Sequence, residues 1–310
     1  MLRLFSIAAA ALLAISGVAA RYDGDDEYDE EDGGLEKRAT ISPIMDGRNF
    51  PDPAIIKVAD GWHAFATNLK KDGTWIHVPM AKSPDYKKWT YRDGVDAMPK
   101  LAAWVDPDSP RAHSKKLEGP YVDNLKEPWV CPYANGGAID PAGYTNKDGT
   151  RWVVYKIDGN AVGHGGSCNN NVEPIVSTPI MLQQVNAADG HTKIGSPIQL
   201  IKNDKADGPV VEAPALTYLG GKYVLFFSSN CFATTLYDVS YATADHIKGP
   251  YTKYGPLFVT GTLGMVSPGG LDIAMNGDHA IWHGATSNGR GSYTALLSMK
   301  GNQVVASTLS

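Results

Sequence analysis

The sequence is poor in the features that would make it a disulfide scaffold, a membrane protein or a polyanion binder. Three cysteines in 310 residues exclude a fold stapled by many bridges. Beyond the first twenty residues no apolar run approaches the length needed to cross a bilayer, and none repeats with a helical period over several turns. A bundle or coiled coil is thereby excluded. No Pro/Ser/Thr-rich linker interrupts the chain after residue 38, so one large domain is expected rather than two. Nor is there an excess of positive charge. The chain carries 28 basic and 33 acidic side chains, but Arg3, Arg21, Lys37, Arg38 and nine acids between Asp23 and Glu36 precede Ala39, leaving 24 of each sign. A near-neutral body argues against nucleic acid or an anionic membrane as partner.

The N-terminus reads as an address. Arg3, the apolar run Ile7 to Ile15 and the small residues Val18-Ala19-Ala20 have the layout of a secretory signal peptide over 1–20. The acidic stretch 21–38 offers no core-forming cluster and ends in Lys37-Arg38, the form of a processing site for a fungal Golgi protease. The expected organisation is a signal peptide, a propeptide over 21–38 and a single domain over 39–310, exported from the cell.

Within that domain short strand-like runs recur: Ala54 to Val58, Trp62 to Thr67, Trp152 to Ile157, Lys222 to Phe227, Asp238 to Ala242, His279 to Trp282 and Tyr293 to Met299. Asp-Gly, Asn-Gly and Gly-Gly turns separate them, which is an all-β pattern. A repeat is superimposed on it. Ala112-His113-Ser114 leads to Gly119-Pro120-Tyr121 over the same interval as Ala242-Thr243-Ala244 leads to Gly249-Pro250-Tyr251, and Ala81-Lys82-Ser83 begins a weaker copy. Strand-then-loop units that end alike suggest the blades of a propeller. The interval from Ala81 to Ala112 is too short for a full blade of about 40 residues.

Three acids stand at the heads of separate strand pairs. Asp52 lies in Phe50-Pro51-Asp52-Pro53, Asp140 in Ala138-Ile139-Asp140-Pro141 before the Asp148-Gly149 turn, and Glu212 in Val211-Glu212-Ala213-Pro214 before Gly220-Gly221. One Asp-Pro alone is commonly a turn aspartate. In a propeller, however, the first strands line the axis, so equivalent positions converge, and carboxylates crowded together acquire different pKa values.

These three stretches, in this order, resemble glycoside hydrolase family 43, five-bladed propeller enzymes acting on arabinose- and xylose-containing plant polysaccharides. The resemblance implies an inverting glycosidase in which Asp52 is the general base, Glu212 the general acid, and Asp140 the residue that raises and orients the acid. It implies a plant polysaccharide or oligosaccharide as partner and a monomer as the expected form. Trp104 resembles the family's Trp-Ala-Pro stretch bordering the sugar, and His283 and Arg290 resemble the His and Arg of its last blade. Phe50 and Phe232 are further candidates to face the sugar, although aromatic residues fill cores as readily. No cofactor is expected. Some members hold a central calcium ion with a histidine in a Gly-Pro-Gly-His stretch, where this chain has Ser267-Pro268-Gly269-Gly270 and offers no clear ligand set.

The chain departs from the family between Trp104 and Ala112, where Asp106-Pro107-Asp108-Ser109-Pro110 replaces tyrosine-rich strands. The expected fold is therefore an all-β, five-bladed propeller with an incomplete second blade. The odd cysteine count agrees: Cys168 and Cys231 make a plausible bridge between loops near the axis, leaving Cys131 without a partner. A catalytically impaired, sugar-binding propeller is the alternative to an enzyme.

Overall fold

The strand-like runs form antiparallel ladders in the computed structural model, which describes residues 40–101, 114, 116–122 and 127–308. Strand β1 (Ala54–Val58) turns at Asp60-Gly61 into β2 (Gly61–Phe65); after a short hairpin, β3 (Leu69–Lys71) and β4 (Thr74–Ile76), the first sheet closes with β5 (Met80–Ser83) and β6 (Thr90–Tyr91). The second sheet contains β7 (Ala138–Thr145), β8 (Arg151–Ile157), β9 (Ile180–Val185) and β10 (Lys193–Ile201). The third contains β11 (Val211–Leu219), β12 (Lys222–Ser229), β13 (Asp238–Ala244) and β14 (Thr252–Phe258), and the fourth β15 (Gly269–Ile273), β16 (His279–Thr286), β17 (Gly289–Lys300) and β18 (Gln303–Ser307). Each sheet is a four-stranded meander whose strands pair in chain order, the blade of a propeller.

Turn chemistry sets the strand ends. Gly220 and Gly221 both adopt positive φ (55° and 89°) where β11 folds back into β12, a backbone that glycine enters without strain. The alternation in β8 puts Trp152, Val154 and Lys156 on one buried face.

Three apolar clusters seal three seams between sheets. Phe226, Tyr241 and Phe258 of the third sheet pack on Trp282, Tyr293 and Leu297 of the fourth, with the Phe258 and Trp282 rings stacked 4.5 Å apart. Tyr144, Val154 and Leu182 of the second sheet meet Leu225, Phe227 and Ala242 of the third. Phe50, Trp62, Tyr86 and Trp89 meet Ala274 and Ile281, closing the first sheet onto the fourth. That closure is also bonded through the backbone, Phe50 N–H donating to Arg290 O at 2.8 Å and Ser292 Oγ–H to Phe50 O at 2.9 Å. All the described residues belong to one compact unit, Gly34–Ser310.

The fourth seam differs. Between β6 and β7 the described residues form only an isolated bridge, Lys100 with Val122, and a single turn of 3-10 helix at Tyr133–Asn135. The described residues therefore make four blades rather than the expected five. Much of the stretch expected to form the second blade, 102–113, 115 and 123–126, lies outside the described residues, and Trp104 with it. In sequence, the proline-punctuated run 105–111 lacks the apolar alternation of an inner strand. The turn that ends the repeat nevertheless survives. Gly119 N–H donates to Lys116 O and Tyr121 Oη–H to Leu117 O, as Gly249 N–H does to His246 O and Tyr251 Oη–H to Ile247 O. The repeated sequence adopts a repeated local structure. A groove of about 1040 Å³ remains on the second sheet's side of this seam, lined by Trp129, Cys131, Tyr155 and Met181.

Candidate active site

Each first strand enters its sheet through the same kink. Asp52, Asp140, Ala213 and Gly270 all sit at positive φ (46°, 54°, 49° and 58°), and Pro53, Pro141 and Pro214 follow the first three. The ladders slip just there, between Ile139 and Ala142, between Glu212 and Ala215, and between Gly269 and Asp272. A left-handed non-glycine residue costs about 1 kcal/mol, so the kink is held by other contacts and serves to aim side chains at the axis. Asp52 and Asp140 occupy equivalent places in their blades. Glu212 stands one residue earlier, a refinement of the equivalence expected for all three.

The three carboxylates converge on the axis. Asp140 Oδ2 accepts the Ala213 N–H at 2.9 Å, tying the second sheet's acid to the backbone beside Glu212. Burial, reinforced by Glu212 and more weakly by Asp52, pushes the Asp140 carboxyl up to about 7, against the pull of Lys156 and the Ala213 amide. Glu212 is held at both oxygens: Tyr237 Oη–H donates to Oε1 at 2.9 Å and Lys156 Nζ to Oε2 at 3.0 Å. Lys156 is also ion-paired to Asp158 at 2.8 Å and its side chain is 1% exposed. Burial works against its ammonium, yet Glu212, Asp140 and Asp158 outweigh it and hold the lysine above its ordinary pKa. Burial, with Glu212 and Asp52 adding, keeps the Tyr237 hydroxyl protonated and a donor.

Asp52 has different company. Its two oxygens lie 3.2 and 3.3 Å from Arg290 Nη1, and its side chain remains 34% exposed. The Asp52 N–H donates to His283 Nδ1 at 3.0 Å, which fixes the proton of the neutral ring on Nε2. Burial, aided by Arg290, pushes His283 down to about 4 against the influence of Asp52. The His283 ring stacks on Tyr237 at 6.0 Å, so one aromatic pair joins the Glu212 and Asp52 sides of the site. Gly270 makes room for this: a Cβ there would lie 2.8 Å from the His283 ring and 3.0 Å from Asp52 Oδ1. Beneath the carboxylates an axial cavity of about 1090 Å³ runs from Asp52 and Asp140 past Asp272 toward Asp278 and His279. Glu212, Arg290 and Phe232 do not line it, although Asp52 and Asp140 do.

Several expected sugar contacts are placed elsewhere. Phe50 is fully buried, packed edge-on to Tyr91 in the first seam, because the chain turns inward at Pro51 and its neighbours are apolar; it is core, not a platform. His283 is 1% exposed with Nδ1 committed to the backbone, so it positions Asp52 rather than facing solvent. Arg290 and Phe232 do stand together at the surface, the guanidinium 5.8 Å from the ring centroid and the ring 54% exposed. Cys168 and Cys231 form the disulfide, with Cα atoms 5.5 Å apart, and Cys131 is free and exposed. The Ser267-Pro268-Gly269-Gly270 stretch does not fit a calcium ligand: Gly270 has no space for a side chain, and among the described residues no cluster of three or more His, Cys, Asp or Glu could hold an ion. Lys156 and Asp158 escaped the sequence reading. Their signal was a lysine on the inward face of the apolar strand Arg151–Ile157, where a buried cation requires anionic partners.

The profile of Glycosyl hydrolases family 43 matches residues 111–295. The chain is 25% identical over 291 residues to the extracellular endo-alpha-(1->5)-L-arabinanase 1 of Bacillus subtilis (strain 168), covering 77% of this chain and 81% of that protein. Among solved structures it resembles a thermostable family-43 glycoside hydrolase (TM-score 0.65, 19% identity, 83% of this chain and 92% of the other). It also resembles an endo-1,4-beta-xylanase from Bacteroides thetaiotaomicron (TM-score 0.64, 22% identity, 84% and 94%). The family profile spans more than half of the chain and covers the strands that carry Asp140, Lys156, Glu212, His283 and Arg290, so the protein belongs to glycosyl hydrolases family 43 and is a glycosidase.

Proposed function

We propose that this chain is a secreted, inverting glycosidase that cleaves arabinofuranose or xylose linkages of plant cell-wall polysaccharides, with α-1,5-linked arabinan the first substrate to test. The observation that carries it is the meeting of two unlike carboxylate environments on one axis: a partly exposed, Arg-paired Asp52, and an enclosed Asp140, pushed up to about 7, beside Glu212. In this reading Asp52 takes a proton from a water as the water oxygen bonds to the anomeric carbon. Glu212 gives a proton to the departing glycosidic oxygen as the carbon–oxygen bond breaks. Inversion requires acid and base on opposite faces of the sugar with room for water between them. Asp140 keeps the proton in the pair by like-charge repulsion. Tyr237 orients Glu212, and His283 and Arg290 orient Asp52. Arabinan is preferred because the B. subtilis relative is an arabinanase; the layout of residues 1–20 and that relative's extracellular description support export.

The test is incubation of the secreted chain with linear arabinan, arabinoxylan and xylan, reading reducing ends, product sizes and the first anomer formed by proton NMR. Release of arabino-oligosaccharides of inverted configuration, absent with Glu212→Gln, is the expected result. A second reading, a sugar-binding propeller with impaired turnover, draws on the single bridge that the described residues form between β6 and β7 and on the groove beside it. Retention on arabinan with no product from either protein would favour it.

A further inference from the structure

We propose that Lys156 is a positioning residue for the general acid, and that its ammonium sets the pH above which the Asp140–Glu212 pair gives up its proton and turnover falls. The inference rests on the assignment of Glu212 as the acid.

The observations are geometric first. Lys156 lies in the second strand of its blade, next to the strand that carries Asp140, with its backbone opposite Ile139. It crosses to the neighbouring blade and meets Glu212 Oε2 at 3.0 Å, on the side opposite the Tyr237 hydroxyl at Oε1. A side chain of four methylenes so held, and 1% exposed, leaves Glu212 little freedom to rotate. One buried ammonium serves three carboxylates, Glu212, Asp140 and Asp158. The other charged or titratable groups facing Glu212 are Tyr237 from the loop before β13 and, across the site, Asp52 with Arg290 and His283 behind it.

The consequence follows from charge. A general acid must be protonated to act, and a nearby ammonium favours the carboxylate form of an acid. Lys156 opposes the burial and the Glu212 repulsion that raise Asp140. This is the mirror of the Asp140 effect: one neighbour keeps the proton on, the other makes it transferable. A group whose proton is held too tightly is a poor donor, so the balance between them fixes both the rate and its alkaline limit.

The test compares pH profiles of kcat and kcat/KM for the secreted enzyme, Lys156→Met, Lys156→Arg and Asp158→Asn on arabinan, with Glu212→Gln as control. Lys156→Met is expected to lower kcat at pH 6 about tenfold, change KM by less than about threefold, and move the alkaline limb up by about one pH unit. Lys156→Arg restores the limb toward its original position. Asp158→Asn removes a negative charge beside the lysine and moves the limb down. If Lys156→Met does not fold, because it strands Asp158 in the interior, the double variant Lys156→Met/Asp158→Asn removes both charges and is measured instead; if that also fails, the Asp158→Asn limb decides. A fall in kcat with an unmoved limb in the lysine variants, or an unmoved limb in Asp158→Asn, overturns the proposal. Full activity of Glu212→Gln overturns the acid assignment itself, whatever the lysine variants do.

Discussion

The Asp52 side and the Asp140 side of this site are built on the same backbone kink and differ in everything around it. Asp52 and Asp140 share a positive φ and a following proline, yet Asp52 faces solvent beside a guanidinium and Asp140 faces a second carboxylate in an enclosed wall. Propeller symmetry supplies convergent positions; the second and third strands supply the electrostatics. His283 and Arg290 come from β16 and β17 behind Asp52, Lys156 from β8 beside Asp140 and Glu212. Two identical side chains thus acquire unlike surroundings from neighbours on other strands.

The largest effect should come from separating the two duties by leaving group. Replacing Asp52 by Ala is expected to cost about a thousandfold or more in kcat on every substrate, since water always needs a base. Glu212→Ala should cost as much on arabinan but little on an aryl glycoside whose phenolate departs without a proton. Equal losses on both substrates would break the distinction between the sides. Asp140→Asn is expected next, at about a hundredfold in kcat with the alkaline limb moved down, because the repulsion that retains the pair's proton is gone. A limb that stays in place would mean Asp140 acts only through its bond to the Ala213 amide.

A smaller loss, about tenfold in kcat, is expected for Gly270→Ala, whose methyl group would press on both His283 and Asp52 Oδ1. Stability against pH gives an independent reading of the two sides. His283 takes up a proton more readily when unfolded (about 6.5) than when folded (about 4), so its burial costs stability progressively as pH falls through that window, by up to about 3 kcal/mol. Asp140 has the opposite sign. Its folded value of about 7 lies above the ordinary 3.8, so the folded chain binds the extra proton and gains stability as pH falls from 7 toward 4. Urea midpoints should therefore show Asp140→Asn gaining stability relative to the parent as pH rises from 4.5 to 8. Parallel curves for the two proteins would contradict the raised Asp140. Smallest of all, Phe232→Ala should raise KM about threefold with kcat nearly unchanged, as expected for one exposed ring against a sugar.

Much of this was written locally. The turns Asp60-Gly61, Asp148-Gly149 and Gly220-Gly221 and the runs between them became the ladders they suggested, because period and turn type act over a few residues. The Gly-Pro-Tyr repeat predicted a repeated turn, and 116–122 and 246–252 share its hydrogen bonds even though the described residues around the first form no blade. The three acids were visible as acids heading strands. Phe50 misled because an aromatic beside a catalytic-looking Asp-Pro can turn either way, and only the seam to Ile281 and Ala274 decides that it turns inward.

What the sequence by itself determined was several of the strands, the turns that join them and the place of an acid at the head of three strand pairs, since propensity and turn geometry are properties of neighbouring residues. Only the tertiary structure decided that the described residues group into four blades, that His283 turns inward to accept the Asp52 N–H, and that a lysine from an apolar strand reaches Glu212. Those depend on contacts between residues 56 and 231 positions apart, brought within about 3 Å by ring closure. The field at a carboxylate is a sum over such neighbours, and their distances exist only in the folded chain.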